Sequence, residues 1–276
     1  MTEYQSNTIK IKPYQFRQAT LLIKASVLLH VALLAGLMIA PRLWPWLLAV
    51  FLADHLLIAL VGLWPRSTWL GSNWTKLPLA AALRKEIALT IDDGPEPEVT
   101  RPVLDILDRY QVKATFFYIG NKVAQHPELC REIISRGHAI ENHSQRHSLY
   151  FSMFGYRKMA NEIMDGQETI HRITGVRPQF FRAPAGLRNP FLDPILQQLG
   201  LHLASWSVRA FDTKVNNADK VKTRLIAGLR PGAIVLLHDG WSRFRWSCSH
   251  NRYFGSCRRS GKSTEGHKKS VNSWRD

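Results

Sequence analysis

The stretch LTIDDGP, Leu89 to Pro95, decides the fold. An apolar run fit for a buried strand ends in two adjacent carboxylates, Asp92 and Asp93, and Gly94-Pro95 then turns the chain away. The pattern repeats along the chain. IALTI from Ile87, ATFFYIG from Ala114, HAIEN from His138, QFFRA from Gln179, LHLASWSV from Leu201 and AIVLLH from Ala233 read as strands. Between them VTRPVLDILDRY, HPELCREIISRG, YRKMANEIMDGQETIHRITG and NADKVKTRLIAGL read as helices, several closed by glycine. Strand-helix repetition implies an α/β domain with a parallel sheet, open or closed into a barrel, and functional residues at the carboxyl ends of its strands.

Polar residues cluster where that rule puts them. Asp92 and Asp93 follow the first strand, His143 and His147 the third, Arg182 the fourth, Asp212 the fifth, and His238 ends the sixth. Two histidines four apart, on a helical turn or a tight loop, can aim both imidazoles at one point. With a carboxylate they form a facial set for a divalent ion such as zinc. Two acids against an apolar strand need a cation and a donor to offset them. Successive side chains diverge, so one acid ligates while the other is free to take a proton from water that the metal has acidified. Arg182 is placed to fix the base carboxylate, and His238 to protonate a leaving amine.

The ordered strings TIDDGP (Thr90 to Pro95), HSQRH (His143 to His147), RAPAG (Arg182 to Gly186), RAFDT (Arg209 to Thr213) and LLH (Leu236 to His238) resemble the polysaccharide deacetylases. This is the NodB-homology domain of carbohydrate esterase family 4, and the likeness spans about 150 residues. It implies a distorted (β/α) barrel and metal-dependent removal of acyl groups from sugars. It implies Asp92 as base, Asp93, His143 and His147 as metal ligands, His238 as acid, and Arg182 and Asp212 as residues that orient Asp92 and His238. Leu236 would line the acetyl pocket, and the backbone near Ala185 would stabilise the oxyanion. Three positions depart from the family: Ala185 replaces an aromatic residue, Thr213 follows Asp212 where tryptophan is common, and Arg209 stands where an acid is common. Arg209 suits either an anionic substrate group such as phosphate or a solvent-facing position after a strand. The competing reading is a non-catalytic or degenerate carbohydrate-binding membrane protein.

The rest of the chain divides by composition. Residues 1–18 form a basic polar segment, and 19–64 a transmembrane helical hairpin with two apolar stretches of membrane-spanning length. Trp44, Trp46 and Trp64 sit where interfacial aromatics belong, and Asp54-His55 is a mid-span polar pair suited to a contact between the helices. Residues 65–85 read as a juxtamembrane linker, 86–240 as the deacetylase-like domain, and 241–276 as a basic tail without helical or strand period. Its Trp, Ser, Arg and Cys content suggests a shifted reading frame, with the last unit of the domain missing. Basic residues flank the hairpin on both sides while Arg42 alone occupies its turn, which places the domain in the cytoplasm beside a membrane of the bacterial inner-membrane type.

The formal charge of +16 includes +7 from Trp241 onward. No nucleic-acid motif accompanies it, so the expected partners are the membrane and an acetylated sugar or lipid-linked saccharide, with no nucleic acid and no protein partner. Cys130, Cys248 and Cys257 offer neither metal spacing nor a disulfide framework.

Overall fold

The computed structural model describes residues 12–215 and 217–239. The tail, with its suggested frame change and missing unit, lies outside the described residues, as do residues 1–11.

Two helices come first, α1 (Leu21–Ile39) and α2 (Trp44–Leu63), joined through a 3-10 turn at Pro41–Leu43. Both are long and apolar enough to cross a membrane. They are not core helices, since Leu34 is 65% and Met38 85% exposed. The polar residue in α2 finds its partner across the hairpin. Ser26 Oγ donates to Asp54 Oδ2 at 2.5 Å, and His30 Nδ1 stands 3.8 Å from the same oxygen. His55 instead places Nδ1 2.9 Å from the carbonyl of Phe51, one turn earlier in its own helix.

The domain then runs α3 (Leu79–Leu83), β1 (Ala88–Asp92), α4 (Pro97–Arg109), β2 (Thr115–Tyr118), α5 (Gly120–Gln125), α6 (Pro127–Ser135) and β3 (Ala139–Asn142). It continues with α7 (Tyr156–Thr174), β4 (Phe180–Phe181), α8 (Leu192–Leu199), β5 (His202–Leu203), β6 (Val208–Arg209), α9 (Ala218–Gly228) and β7 (Ile234–His238). Seven strands pair in the order β5-β4-β3-β2-β1-β7-β6, every pairing parallel. Every residue of β2 and β3 is buried: on one face Phe116, Tyr118 and Ile140 pack with Leu104, Val123 and Ile133 of the flanking helices, and on the other, inside the barrel, Phe117 meets Phe180 and Ala204. Gly175, in the left-handed region at φ 73°, ends α7, and the Asn217 side chain caps α9 by accepting from the Lys220 amide.

The stretch expected as one strand, Leu201 to Val208, is two. His202–Leu203 pairs with β4, and Val208–Arg209 pairs with β7 at the other edge of the sheet. Four residues separate them, because the backbone between turns its carbonyls inward: Ala204 O and Ser205 O accept from Arg182. Both edges of the sheet are therefore successive pieces of one stretch of chain, which curls the sheet into the distorted barrel.

Residues 65–85 connect the hairpin to the domain but do more than link. Trp74 N donates to Leu203 O, Ser205 N to Trp74 O and Leu77 N to Gly232 O, so this segment lies along the seam between the two edges. Leu77 and Ala81 pack with Trp206, Ile234 and Leu236 in the core. The polar and small residues that read as a linker hide three buried apolar anchors, Leu70, Leu77 and Ala81, too widely spaced to register as a strand or helix by period.

Candidate active site

Asp93 directly follows β1 with a left-handed backbone, φ 75°, which turns its side chain away from that of Asp92. Its Oδ1 lies 3.3 Å from His143 Nε2 and 3.3 Å from His147 Nε2, and is buried without a hydrogen-bond partner. His143 follows β3 and places Nδ1 2.8 Å from Arg182 O, which leaves Nε2 for the site. His147 is brought round by a tight loop rather than a helical turn: Ser144 Oγ accepts from His147 N, and Asn142 Oδ1 accepts from Ser144 N. One donor atom from each of Asp93, His143 and His147 lies within 4.8 Å of the others. Donors at about 2.0–2.1 Å from a tetrahedral ion stand about 3.3 Å apart, so the three fit a divalent cation, and the orphaned carboxylate oxygen needs one.

The charges are tuned accordingly. Burial pushes Asp93 upward, but the imidazoles of His143, His147 and His238 outweigh it and hold the carboxyl well below the ordinary range. Burial, reinforced by His143, pushes His147 down to about 4 against the pull of the two aspartates, keeping it neutral with a lone pair to donate. For His143, burial is overcome by Asp93 and Asp92, and its pKa rises.

Asp92 is buried beside this cluster, with Oδ2 3.9 Å from His143 Nε2. Arg182 Nη1 donates to Asp92 Oδ1 at 2.5 Å and to Thr90 Oγ1 at 2.8 Å. Its other donors go to Ala204 O and Ser205 O, and its guanidinium lies 4.0 Å over the Phe117 ring. Every side of this buried cation is thus occupied, so Asp92 is held in one position. His238 is the register partner of Asp92 on the adjacent strand. Asp212 accepts from the His238 backbone at 2.8 Å and stands 2.9 Å from its Nδ1. Burial lowers the His238 pKa, but the Asp212 carboxylate more than reverses this, so the imidazolium is favoured.

Ala185 is exposed in the loop after β4, with φ 54°. Leu236 is buried on β7 opposite Thr90. Arg209 ends β6 with its guanidinium carbon 5.2 Å from the rings of both Trp206 and Phe211. Of the residues singled out from the sequence, Asp92, Asp93, His143, His147, Arg182, Asp212 and His238 thus gather around one site by these contacts, whereas Leu236 lies two residues before the end of β7. Two were missed. Lys122 Nζ donates to Asp93 O at 2.8 Å, with no signal in a lone lysine of α5. Asp239 is buried directly after His238, where its Oδ2 accepts from Thr100 Oγ1 and Tyr118 Oη, both at 2.7 Å. An acid continuing a buried strand was the available signal.

Comparison with known proteins finds similarity to carbohydrate deacetylases. The family profile described as Polysaccharide deacetylase matches residues 80–204, which takes in Asp92 through Arg182 but stops before Asp212 and His238. A chitooligosaccharide deacetylase of Bradyrhizobium is 36% identical over 57% of this chain and 72% of its own length. The peptidoglycan N-acetylglucosamine deacetylase of Listeria monocytogenes is 39% identical over 58% of this chain, and the match spans 33% of that longer protein. Among solved structures, the peptidoglycan deacetylase PdaC of Bacillus subtilis superposes with a TM-score of 0.53 at 34% identity, over 57% of this chain and 76% of that one. With a relative matched over most of its length, the fold shared and the site's geometry in place, the chain belongs to the polysaccharide deacetylase family.

Proposed function

We propose that this protein is a metal-dependent hydrolase that removes an acetyl, or similar acyl, group from an N-acylated sugar. The observation that carries the reading is the convergence of Asp93, His143 and His147 beside an Arg182-clamped Asp92, with His238 on the neighbouring strand. A divalent ion of the zinc class, held by Asp93 Oδ1 and the Nε2 atoms of both histidines, would polarise the acyl carbonyl and lower the pKa of a water molecule. Asp92, clamped by Arg182, would accept a proton from the attacking water as the water oxygen bonds to the acyl carbon. By the family resemblance, the Ala185 N–H would stabilise the oxyanion that develops there, and Leu236 would line the space for the acyl methyl group. His238 gives its proton to the sugar nitrogen as the carbon–nitrogen bond breaks, releasing the free amine and a carboxylate. Asp212 keeps His238 protonated and fixes its ring for that transfer.

The relatives named above are peptidoglycan and chitooligosaccharide deacetylases, which supports an N-acetylated sugar as substrate. Retention of every donor argues against the non-catalytic alternative. The two apolar helices serve as a membrane anchor, and the basic residues on their outer flanks favour a cytoplasmic domain. A reporter fused after Arg84 that is active only outside the inner membrane would reverse that orientation. For the chemistry, Asp92→Asn in the zinc-loaded chain is expected to cut acetate release by about a hundredfold to ten-thousandfold with zinc retained. Undiminished release from this variant would remove Asp92 as the base.

A further inference from the structure

The helical hairpin and the active-site rim meet. Arg188 N donates to Gly62 O at 3.2 Å, its guanidinium donates to Ser67 O, and Ser205 Oγ donates to Pro65 O at 2.7 Å. The approach is close enough to need glycine: a Cβ at Gly62 would stand 2.5 Å from Arg188 O, and one at Gly186 would stand 2.7 Å from Pro65 and 2.6 Å from the Trp206 ring. The loop that carries Ala185 is thus wedged against the last turn of α2. On the other side Tyr14, shortly before α1, packs edge-on against Tyr156 and Phe191, at the starts of α7 and α8. Both membrane-length helices therefore leave the domain from the face on which its strands end.

That face is apolar where it is bare. Leu149, Tyr150 and Met153, between His147 and α7, are 84%, 67% and 79% exposed. Trp64 and Trp69 are exposed beside the exit of α2. Exposed leucine, methionine and aromatic side chains beside two candidate spans suit the interfacial layer of a bilayer.

Arg209 supplies the remaining piece. Its guanidinium carbon lies 5.2 Å from the rings of Trp206 and of Phe211, its Nε is buried without a hydrogen-bond partner, and no carboxylate pairs with it among the described residues. Trp206 is the ring that reaches Gly186 beside Pro65, so Arg209 is near the exit of α2. It is also three residues from Asp212, which holds His238. A planar cation braced by aromatic faces, with a donor in reserve, matches a phosphate better than a neutral hydroxyl-rich chain.

We infer that the sugar reaching this site is joined to a lipid through phosphate, with the lipid in the bilayer and Arg209 on the phosphate. The inference rests on the deacylase reading of the same site and adds its substrate class. The test uses the full zinc-loaded chain in vesicles and three probes. These are N-acetylglucosamine joined through phosphate to a polyprenyl chain in the same vesicles, soluble N-acetylglucosamine 1-phosphate, and a neutral N-acetylated chitooligosaccharide. The expected order of kcat/KM is lipid-linked, then soluble phosphate, then neutral, with about tenfold or more between first and last. Arg209→Ala is expected to lower kcat/KM on both phosphate probes about tenfold more than on the neutral one, with partial recovery in Arg209→Lys. Dialysed, metal-free protein should bind the lipid-linked probe about tenfold more weakly once Arg209 is alanine. Equal hydrolysis of the neutral and lipid-linked probes, with Arg209→Ala affecting all three alike, would overturn the inference while leaving the deacylase intact. A preference for the soluble phosphate over the lipid-linked form would overturn the bilayer half of it. Hydrolysis of none of the probes would remove the deacylase reading and the inference together.

Discussion

Asp239 carries a burden that its neighbour His238 does not. Burial, partly relieved by Thr100 and Tyr118, pushes its carboxyl up to about 7. In the unfolded chain the group ionises near pH 4, so its contribution to stability is complete below that pH and is lost as pH rises through 7. Asp239→Asn keeps an acceptor for both hydroxyls and removes the titration. Relative to the wild type it should gain about 2–3 kcal/mol between about pH 5 and about pH 8 in unfolding measurements, and parallel pH profiles would refute the buried neutral acid. His238 works in the opposite sense: as the acid it must be protonated, and Asp212 raises its pKa. Asp212→Asn should move the alkaline limb of kcat/KM down by about one pH unit or more, and an unmoved limb would separate Asp212 from His238. Asp92, Asp93, His143, His147, Arg182, Asp212 and His238 could be picked out because each lies at the end of a strand or within five residues after it, in a short polar string. Lys122 was not, because its role is a contact with a backbone carbonyl, which leaves no trace in residue order.

At the level of elements, the segment before β1 matters more than its composition suggests. Leu77 and Ala81 enter the core, and the backbone of Trp74 joins Leu203 to Ser205 across the bend between β5 and β6. A chain beginning at Arg66 should fold, whereas one beginning at Glu86 should lose the seam and expose Trp206 and Leu236, appearing as insoluble or protease-sensitive material. Equal solubility and equal protection of the two would show that 66–85 is only a tether. Arg182 reinforces the same bend from inside through Ala204 O and Ser205 O while holding Asp92. Arg182→Met should cost about 3–5 kcal/mol, since it leaves Asp92 buried and unpaired. The alternation of strands and helices was readable because apolar runs and amphipathic faces have distinct periods. The division at Ala204 to Ser207 was not, because a bend made by inward carbonyls leaves the apolar pattern of LHLASWSV intact.

For the whole molecule, a hairpin whose exits dock beside the catalytic rim joins two features that the sequence presents separately. Length and hydropathy made the hairpin legible, but its docking depends on glycines at 62 and 186 that allow close approach without altering any periodic pattern. The central claim is that Asp93, His143 and His147 hold the ion on which hydrolysis depends. It is tested most directly by titrating zinc into the chelator-stripped full chain while following acetate release from an N-acetylglucosamine substrate. Release should be negligible at the start, rise in proportion to added zinc and level off near one equivalent per chain, with Asp93→Asn failing to follow that line. Full release from the stripped chain, or the same saturating line from Asp93→Asn, would contradict the account.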